Sequence, residues 1–217
     1  MARMTCILLF VWLFLTAACE TEARGRKRKG QKTVLCRRGK VVLEDDFSGK
    51  KLLWTFDPNE CHWEIVKKAL ATESTGDKVA LSIERPIRPV ENAVIEMRFL
   101  LPRGCSVAVV GTWTNFPFAR ISAAKGKLSL ETWSKETGLA EVAMAPFPYP
   151  KARWVDVLYE IAGPRYALTV DGQTITCDMP FSGERKINKV AIRPEQKTSE
   201  LFIVDDVRVW EALPKRR

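Results

Sequence analysis

The carboxylates and the single histidine are the residues that could carry out acid–base or nucleophilic chemistry, and their spacing decides whether they could act together. Asp156 and Glu160 share one face of a candidate strand. Four residues separate them by about 13 Å, which is too far for either glycosidase geometry. The histidine, His62, adjoins Cys61, and strand neighbours point to opposite faces, which disfavours a Cys–His pair. No catalytic motif is complete, and the sequence favours a non-catalytic protein over an enzyme.

Aromatic residues are the candidates for ligand binding, because pyranose rings stack their apolar faces on aromatic rings while their hydroxyls find polar partners. The candidates lie in turns, at a strand end or in a Pro-rich loop, and they are Trp113, Phe116, Trp133, Phe147 and Tyr149. A role in the core or at a sheet edge is the alternative for Trp113 and Trp133. Other tryptophans stand in strand-like sequence, which predicts core packing, and they are Trp54, Trp63, Trp154 and Trp210.

Residues 1–19 have the order of a secretory signal peptide. Arg3 precedes an apolar run from Cys6 to Leu15, and small residues follow it up to Ala18. The run is about half as long as the roughly 20 residues that span a bilayer, so no transmembrane span is expected. Residues 15–19, Leu-Thr-Ala-Ala-Cys, also resemble a bacterial lipobox with its Leu displaced by one position, which makes a lipoprotein anchored through Cys19 the alternative. We expect an exported protein that is periplasmic, at the cell surface or extracellular.

The net charge of +9 is concentrated in an N-terminal arm, residues 20–39. Nine basic residues and no acidic one lie between Arg24 and Lys40, and the rest of the chain has 26 basic and 26 acidic residues. A block of like charge repels itself, which predicts disorder. The arm, together with a basic tail at residues 214–217, is either a solvated linker or a contact to an anionic surface. Specific nucleic-acid binding is not expected, because the domain between them is neutral.

Four cysteines remain when the leader is removed, and they are Cys36, Cys61, Cys105 and Cys177. In an oxidising compartment they allow three pairings, and their spacing does not choose among these. No two cysteines form a C-x-x-C pair, so a structural zinc site is not expected.

Residues 40–213 consist of short alternating or apolar runs separated by turn residues, which predicts one all-β domain. Asp171-Gly172 and Lys125-Gly126 have the composition of hairpin turns, and Pro146, Pro148 and Pro150 predict a loop. About a dozen strands in one domain predict a two-sheet antiparallel sandwich, since a single sheet of that size curls or splits. The predicted strands are Lys40–Phe47, His62–Leu70, Lys78–Glu84, Ala93–Leu101, Ser106–Thr112, Phe118–Ser122, Lys127–Trp133, Trp154–Ile161, Arg165–Val170, Gln173–Cys177, Lys186–Arg193 and Leu201–Trp210.

The order of short motifs along residues 40–211 provides a resemblance to a known superfamily. The motifs include Glu44–Phe47, Trp63–Ile65, Ala93–Phe99, Trp154–Val157 and Leu201–Val209. In this order they resemble the concanavalin A-like lectin and glucanase superfamily. Within it, the chain is similar to exported bacterial domains related to laminin-G-like modules and to the keto-disaccharide hydrolase-like family. The resemblance implies a jelly-roll sandwich in a carbohydrate-rich setting, although a fold does not define a function.

The resemblance also implies where catalytic carboxylates would stand. Glycosidases of the superfamily place carboxylates two and then two or three residues apart on one strand, so that they share a cleft. Glu44-Asp45-Asp46 offers the first spacing, but Ser48 and Gly49 occupy the positions of the third carboxylate. The catalytic motif is therefore absent.

Asp45 and Asp205 are the candidate metal ligands. Alternation places each aspartate on one face with apolar residues: Asp45 with Val41, Leu43 and Phe47, and Asp205 with Leu201, Ile203, Val207 and Val209. The first and last strands are neighbours in the jelly roll that the chain resembles, so the two carboxylates would lie close together. Buried carboxylates need partners, which a structural Ca²⁺ would supply or, as the alternative, backbone hydrogen bonds or a bulge. No other cofactor is expected.

These observations favour an exported, non-catalytic module that binds carbohydrate or associates with the cell envelope. Its expected partner is a polysaccharide or an envelope glycan. One alternative is a structural or adhesive module that binds protein and is tethered by its basic arm. The other is a glycoside hydrolase-like enzyme whose site the motifs do not reveal.

Overall fold

The computed structural model describes residues 30–49, 51–56, 62–74, 82–100, 106–110, 118–122, 125–134, 138–149, 154–179, 186–195 and 198–215. Within these ranges the chain is all-β and forms fourteen strands. No helix in these ranges is long and apolar enough to cross a membrane. The strands are β1 (Cys36–Asp45), β2 (Trp63–Val66), β3 (Ala69–Ser74), β4 (Ile83–Val90), β5 (Ala93–Leu100), β6 (Ser106–Val110), β7 (Phe118–Ser122), β8 (Lys127–Ser134), β9 (Gly138–Pro146), β10 (Trp154–Ala162), β11 (Arg165–Val170), β12 (Gln173–Asp178), β13 (Ile187–Glu195) and β14 (Thr198–Pro214).

The strands form two antiparallel sheets, which confirms the predicted two-sheet sandwich. The eight-stranded sheet has the order β12-β11-β10-β5-β14-β3-β2, and β1 also pairs with β14. The long strand β14 pairs with β3 in its first part and with β1 in its second, while β5 follows its other edge. The six-stranded sheet has the order β4-β13-β6-β7-β8-β9. The chain therefore brings its first and last strands side by side, as expected.

The core lies between the sheets and follows the alternation of the strands. Met97 and Phe99 of β5 and Tyr159 of β10 are fully buried from the eight-stranded sheet, and Val109 and Leu130 are fully buried from the six-stranded sheet. Burying each large apolar side chain contributes about 1.5–3 kcal/mol. The same alternation turns every second residue of these strands to the outer faces, where the polar side chains described below lie.

Three strand predictions are wrong, and β1 begins at Cys36, inside the segment for which the charge pattern predicts disorder. The predicted strand Lys78–Glu84 overlaps β4 in two residues only, because β4 runs from Ile83 to Val90, and residues 78–81 lie outside the described ranges. The run His62–Leu70 is a hairpin rather than one strand, because Lys67 and Lys68 turn the chain with φ angles of 49° and 65°. β9 lies where the sequence pattern predicts no strand. It is an edge strand, and an edge strand tolerates Pro146 because that position donates no ladder hydrogen bond.

The two hairpin turns are confirmed. Asp171 and Gly172 both have positive φ angles, 48° and 86°, as a type I′ turn requires. Gly126, with φ 59°, turns the chain between β7 and β8.

A bulge in β14 contradicts the predicted facing of the last strand. The pairing of β14 with β5 shifts register between Asp205 and Arg208, and Asp206 has a φ of 54°. Val204 before the bulge and Val207 after it both belong to the core. Asp205 therefore does not share a face with Val207. In β1, Leu43 is buried as predicted, but Val41 is 47% exposed where the register of β1 is irregular. Phe47 is also buried, although it follows the end of β1 and has a φ of 52°.

Candidate functional site

The outer face of the six-stranded sheet carries a polar cluster at its centre. Arg120 of β7 lies opposite Ser129 of β8, and Phe118 lies opposite Glu131. Directly paired residues share a face, and the intervening residues of both strands are in the core. We call the four residues Phe118, Arg120, Ser129 and Glu131 the Arg120 face.

Contacts within the Arg120 face hold the guanidinium and the carboxylate in place. The Nε atom of Arg120 lies 3.3 Å from Oε2 of Glu131, and its guanidinium carbon lies 5.5 Å from the centroid of the Phe118 ring. The hydroxyl of Ser129 donates a hydrogen bond of 2.6 Å to Oε1 of Glu131. The Glu131 side chain is 2% exposed and that of Arg120 is 16% exposed. The charges are thus paired and nearly dehydrated, while part of Arg120 reaches solvent.

Side chains on the neighbouring strands border this cluster. Met144 of β9 lies opposite Ser129 and is 66% exposed, and Glu141 lies opposite Glu131. Glu141 forms an ion pair with Lys127.

On the other side of the cluster, Ala108 of β6 is opposite Arg120, and Arg193 of β13 is opposite Ala108. The small side chain of Ala108 stands between the two arginines.

The predicted ligand-binding aromatics fall at different places around this sheet. Trp113 and Phe116 lie outside the described residues, between the strands that end at Val110 and begin at Phe118. Trp133 lies on β8, two residues after Glu131 and opposite Leu139. Their roles as ligand contacts stay predictions.

Phe147 and Tyr149 lie at the opposite end of β8 from Trp133. The backbone N–H of Phe147 donates to the carbonyl of Gly126, which precedes β8. Phe147 belongs to the core and is 5% exposed, and its ring centroid lies 6.4 Å from that of the half-buried Tyr149. Of the two, Tyr149 retains accessible ring surface. Trp133 is six residues from Lys127, about 20 Å along the strand, so its strand position is distant from those of Phe147 and Tyr149.

The outer face of the eight-stranded sheet carries a band of ion pairs. Nη2 of Arg38 lies 2.6 Å from Oε2 of Glu96. Nε of Arg98 lies 3.5 Å from Oδ1 of Asp156, and Nε of Arg208 lies 3.0 Å from Oε1 of Glu44. Each carboxylate of the band has an arginine partner within the sheet.

Two tryptophans of this outer face contradict the prediction of core packing. Arg98 stacks 4.9 Å over the ring of Trp154, and Arg38 stacks 4.8 Å over the ring of Trp210. Both rings are half-buried, because their strand positions alternate with the core positions of β10 and β14. Trp54 and Trp63 are in the core, as predicted.

Asp45 and Asp205 both have hydrogen-bond donors from the protein. Asp45 accepts from the backbone N–H of Phe47 and from the indole N–H of Trp54, each at 2.9 Å. Asp205 accepts from the N–H of Asp206 at the bulge. Among the described residues, no group of three or more His, Cys, Asp or Glu residues is placed to hold a metal ion. The structure therefore provides the hydrogen bonds and the bulge that were the alternative to a structural Ca²⁺ for these two carboxylates. The calcium site stays a prediction.

The carboxylate of Glu160 is buried beside the residues that lead into β1. Glu160 is fully buried and accepts hydrogen bonds from the backbone N–H groups of Val34, Leu35 and Cys36 at 2.7, 3.0 and 3.2 Å. The Cys36 thiol also donates to it at 3.2 Å. Burial, together with the nearby Glu160 carboxylate, raises the pKa of the Cys36 thiol to about 12.

Two of the four cysteines expected in the domain are free thiols, Cys36 and Cys177. Burial and the nearby Asp178 raise the pKa of Cys177 to about 11. Cys61 and Cys105 lie outside the described residues. His62 is exposed, and its carbonyl accepts a hydrogen bond from the Thr72 hydroxyl.

The fold is that of galectin-like and concanavalin A-like jelly rolls. A protein of unknown function with a galectin-like fold from Bacillus subtilis superposes with a TM-score of 0.62 and 14% identity, over 83% of this chain and 100% of that one. A laminarinase from Flavobacterium sp. UMI-01 superposes with a TM-score of 0.57 and 12% identity, over 79% of this chain and 100% of that one. The jelly-roll prediction is therefore confirmed.

A third similar structure is the carbohydrate-binding module CBM66 from Bacillus subtilis. It has a TM-score of 0.50 and 12% identity, and it covers 76% of this chain and 96% of that one. No protein family and no curated protein matches the sequence. At these identities the likeness concerns the fold alone.

Proposed function

We propose that the protein is a carbohydrate-binding β-sandwich module and that its ligand binds on the Arg120 face. The observation that carries this proposal is the fixed Arg120–Glu131–Ser129 cluster at the centre of an outer sheet face. Two of the similar structures are, by name, a carbohydrate-binding module and a laminarinase, which supports a sugar as the ligand. The strands of this face also adjoin the positions of the aromatic candidates.

The chemistry of the Arg120 face suits a polyhydroxylated ligand. Sugar hydroxyls both donate and accept hydrogen bonds, and the partly exposed guanidinium of Arg120 offers them several donors, while the buried Glu131 and Ser129 hold it in place. The ion pair and the Phe118 ring hold Arg120 before a ligand arrives, which lowers the entropy lost on binding. The bordering Met144 supplies exposed apolar surface for the sugar ring.

A glycan array followed by titration calorimetry tests this proposal. Arg120→Met is expected to weaken glycan binding by about tenfold or more, because charged hydrogen bonds contribute about 1.5–3 kcal/mol. Arg165→Met is the matched control, since Arg165 is also ion-paired but lies on the other sheet. If the two variants bind equally well, the Arg120 face is not the site.

A second variant keeps the test independent of folding, because Arg120 supports a buried carboxylate. Met144→Glu changes an exposed residue beside the cluster and should leave the melting temperature nearly unchanged. It is expected to abolish or strongly reduce binding, because it replaces exposed apolar surface at the site with a negative charge. Thr176→Glu, on the exposed face of β12, is its control.

A glycoside hydrolase-like activity is the second candidate function, and one observation favours it. Glu131 and Glu141 are direct cross-strand partners. They pair at a register shift between β8 and β9, and retaining glycosidases also use two neighbouring carboxylates, about 5 Å apart. Wild-type protein and Glu141→Gln should be assayed for reducing-sugar release from a panel of β-glucans, with Glu91→Gln as control. If the wild type releases no sugar, or Glu141→Gln is fully active, this candidate is rejected.

We also infer that the protein is exported after cleavage near Cys19. The apolar run and the small residues after it support this inference. Intact-mass measurement of protein from its native host would show a chain that starts at Cys19 or Glu20, with added lipid mass if Cys19 is acylated. A mass that includes residues 1–18 would contradict export by cleavage.

A further inference from the structure

The two basic ends of the chain leave the domain at the same place. In the antiparallel pair β1–β14, Cys36 lies opposite Pro214 and Arg37 lies opposite Leu213. The residues that precede β1 and those that follow β14 therefore emerge side by side. In the sequence they are separated by almost the whole domain.

Side chains link the two ends directly. The ammonium group of Lys215 donates to the carbonyl of Thr33 at 2.9 Å, and Nε of Arg37 donates to the carbonyl of Pro214 at 3.1 Å. Lys32, Arg37 and Lys215 are all exposed. We call these three residues the basic pole.

The base of the arm is held firmly on the sheet. Glu160 binds three successive backbone N–H groups there, and Arg38 is anchored by Glu96 and by the carbonyl of Gln31. The backbone at the basic pole and the side chains of Arg37 and Lys215 therefore have a defined arrangement. A fixed charge cluster costs less entropy to bind a polymer than a free arm does.

The excess positive charge of the sequence is concentrated in the two segments to which the basic pole belongs. Nine basic residues lie between Arg24 and Lys40, and Lys215 to Arg217 add three more without an acidic residue in either segment. Setting these twelve aside leaves 23 basic residues against 26 acidic ones. All of the excess positive charge therefore belongs to these two segments, and the basic pole is formed by three of their described residues.

We propose that the basic pole is a second binding site, separate from the Arg120 face, and that it binds an acidic polysaccharide carrying sulfate or uronate groups. Residues 20–40 contain no aromatic residue. Proteins that grip single-stranded nucleic acid stack bases on aromatic rings, and interfacial membrane helices carry an aromatic or leucine-rich face. The pole offers positive charge, bordered by the exposed side chains of Val34 and Leu213, and positive charge matches a flexible hydrophilic polyanion.

Calorimetry of the mature chain with a heparin hexasaccharide tests the proposal. One hexasaccharide per protein is expected, because both ends of the chain serve one site. Binding is expected to fall at least tenfold between about 0.05 and 0.2 M salt. Two independent sites per protein would contradict a shared pole.

Charge reversal identifies the residues. The triple variant Lys32→Glu, Arg37→Glu, Lys215→Glu is expected to weaken hexasaccharide binding by about tenfold or more. The control variant Lys51→Glu, Arg165→Glu, Lys125→Glu makes the same change of net charge at exposed positions elsewhere and is expected to bind like the wild type. Equal losses of hexasaccharide affinity in both variants would show that binding responds to net charge only, and this would overturn the proposal of a site at the basic pole.

Other ligands decide the class of partner and separate the two sites. Duplex DNA or phosphatidylserine vesicles that bind as tightly as the hexasaccharide would overturn the choice of polysaccharide. Binding of neutral glycans is expected to survive the pole variant, and hexasaccharide binding is expected to survive Met144→Glu. Each proposal can therefore fail while the other stands.

Discussion

Replacing Glu160 by glutamine tests how the start of β1 is held on the sheet. The carboxylate is fully buried and receives four hydrogen bonds, three from successive backbone N–H groups and one from the Cys36 thiol. Oε2 accepts from the backbone N–H of Val34, and Oε1 accepts from the backbone N–H groups of Leu35 and Cys36. An amide has one acceptor oxygen, so in Glu160→Gln its N–H₂ group must face either Val34 or the other two.

The expected cost follows from these contacts. A hydrogen bond to a charged group contributes about 1.5–3 kcal/mol, and a buried donor left without an acceptor costs about 1–3 kcal/mol. Glu160→Gln loses at least one such bond and the charge that strengthens the rest. We expect the free energy of unfolding to fall by about 2–4 kcal/mol, which lowers the melting temperature by roughly 5–15 °C in a domain of this size.

Urea unfolding and mapped thiol labelling measure this effect. With a thiol pKa of about 12, about one folded molecule in ten thousand carries the Cys36 thiolate at pH 8, so labelling requires opening of the segment. Glu160→Gln should therefore accelerate labelling of Cys36 as well as lower stability. Glu64→Gln, at an exposed position of β2, is the control and should remain within about 0.5 kcal/mol of the wild type. If both variants unfold alike and Cys36 labels no faster, the carboxylate does not anchor the segment.

Three further predictions concern single positions. Folding raises the pKa of Cys36 from its ordinary 9.0 to about 12, so the stability from this group is present below pH 9 and is lost as the pH rises towards 12. In urea unfolding series at increasing alkaline pH, the free energy of unfolding should therefore fall less for Cys36→Ser than for the wild type. Asp206→Val should be about 1–3 kcal/mol less stable than Asp206→Gly, because a β-branched residue is strained at a φ of 54°, and equal urea midpoints would refute this. If Asp45 and Asp205 hold calcium, thermal unfolding should shift upward with calcium and downward with chelator; a melting temperature indifferent to both rules the ion out.

Local patterns in the sequence predict the class and most strands of the fold but miss the interruptions. Alternation of apolar residues identifies β5, β7 and β11 almost to the residue, because each strand buries one face. The bulge at Asp206 has no such signal, since two aspartates in an apolar strand suit either face. The hairpin at Lys67 is hidden for a similar reason, because lysine rarely adopts a positive φ. The sequence pattern does not predict β9, because an edge strand tolerates alanines and a terminal proline that are not typical of strands.

The Arg120 face could not be predicted, because its contacts cross between strands. Arg120 and Glu131 are eleven residues apart in the sequence, and only the register of β7 against β8 brings them together. The alternation of Ser129, Glu131 and Trp133 along β8 was available as a signal. It indicates one polar face of a strand, but it does not name the partner on the next strand.

The placement of charge on the described surface supports two sites with different ligands. On the outer faces of both sheets, the carboxylates Glu96, Asp156 and Glu131 each lie against an arginine of the same sheet. Such paired groups present local donors and acceptors but little net field, which suits a neutral ligand read by hydrogen bonds. At the basic pole, Lys215 and Arg37 contact backbone carbonyls, which do not neutralise a positive charge. Long-range attraction of a polyanion therefore originates at the chain ends, and screening by salt should weaken that attraction while leaving binding at the Arg120 face largely unchanged.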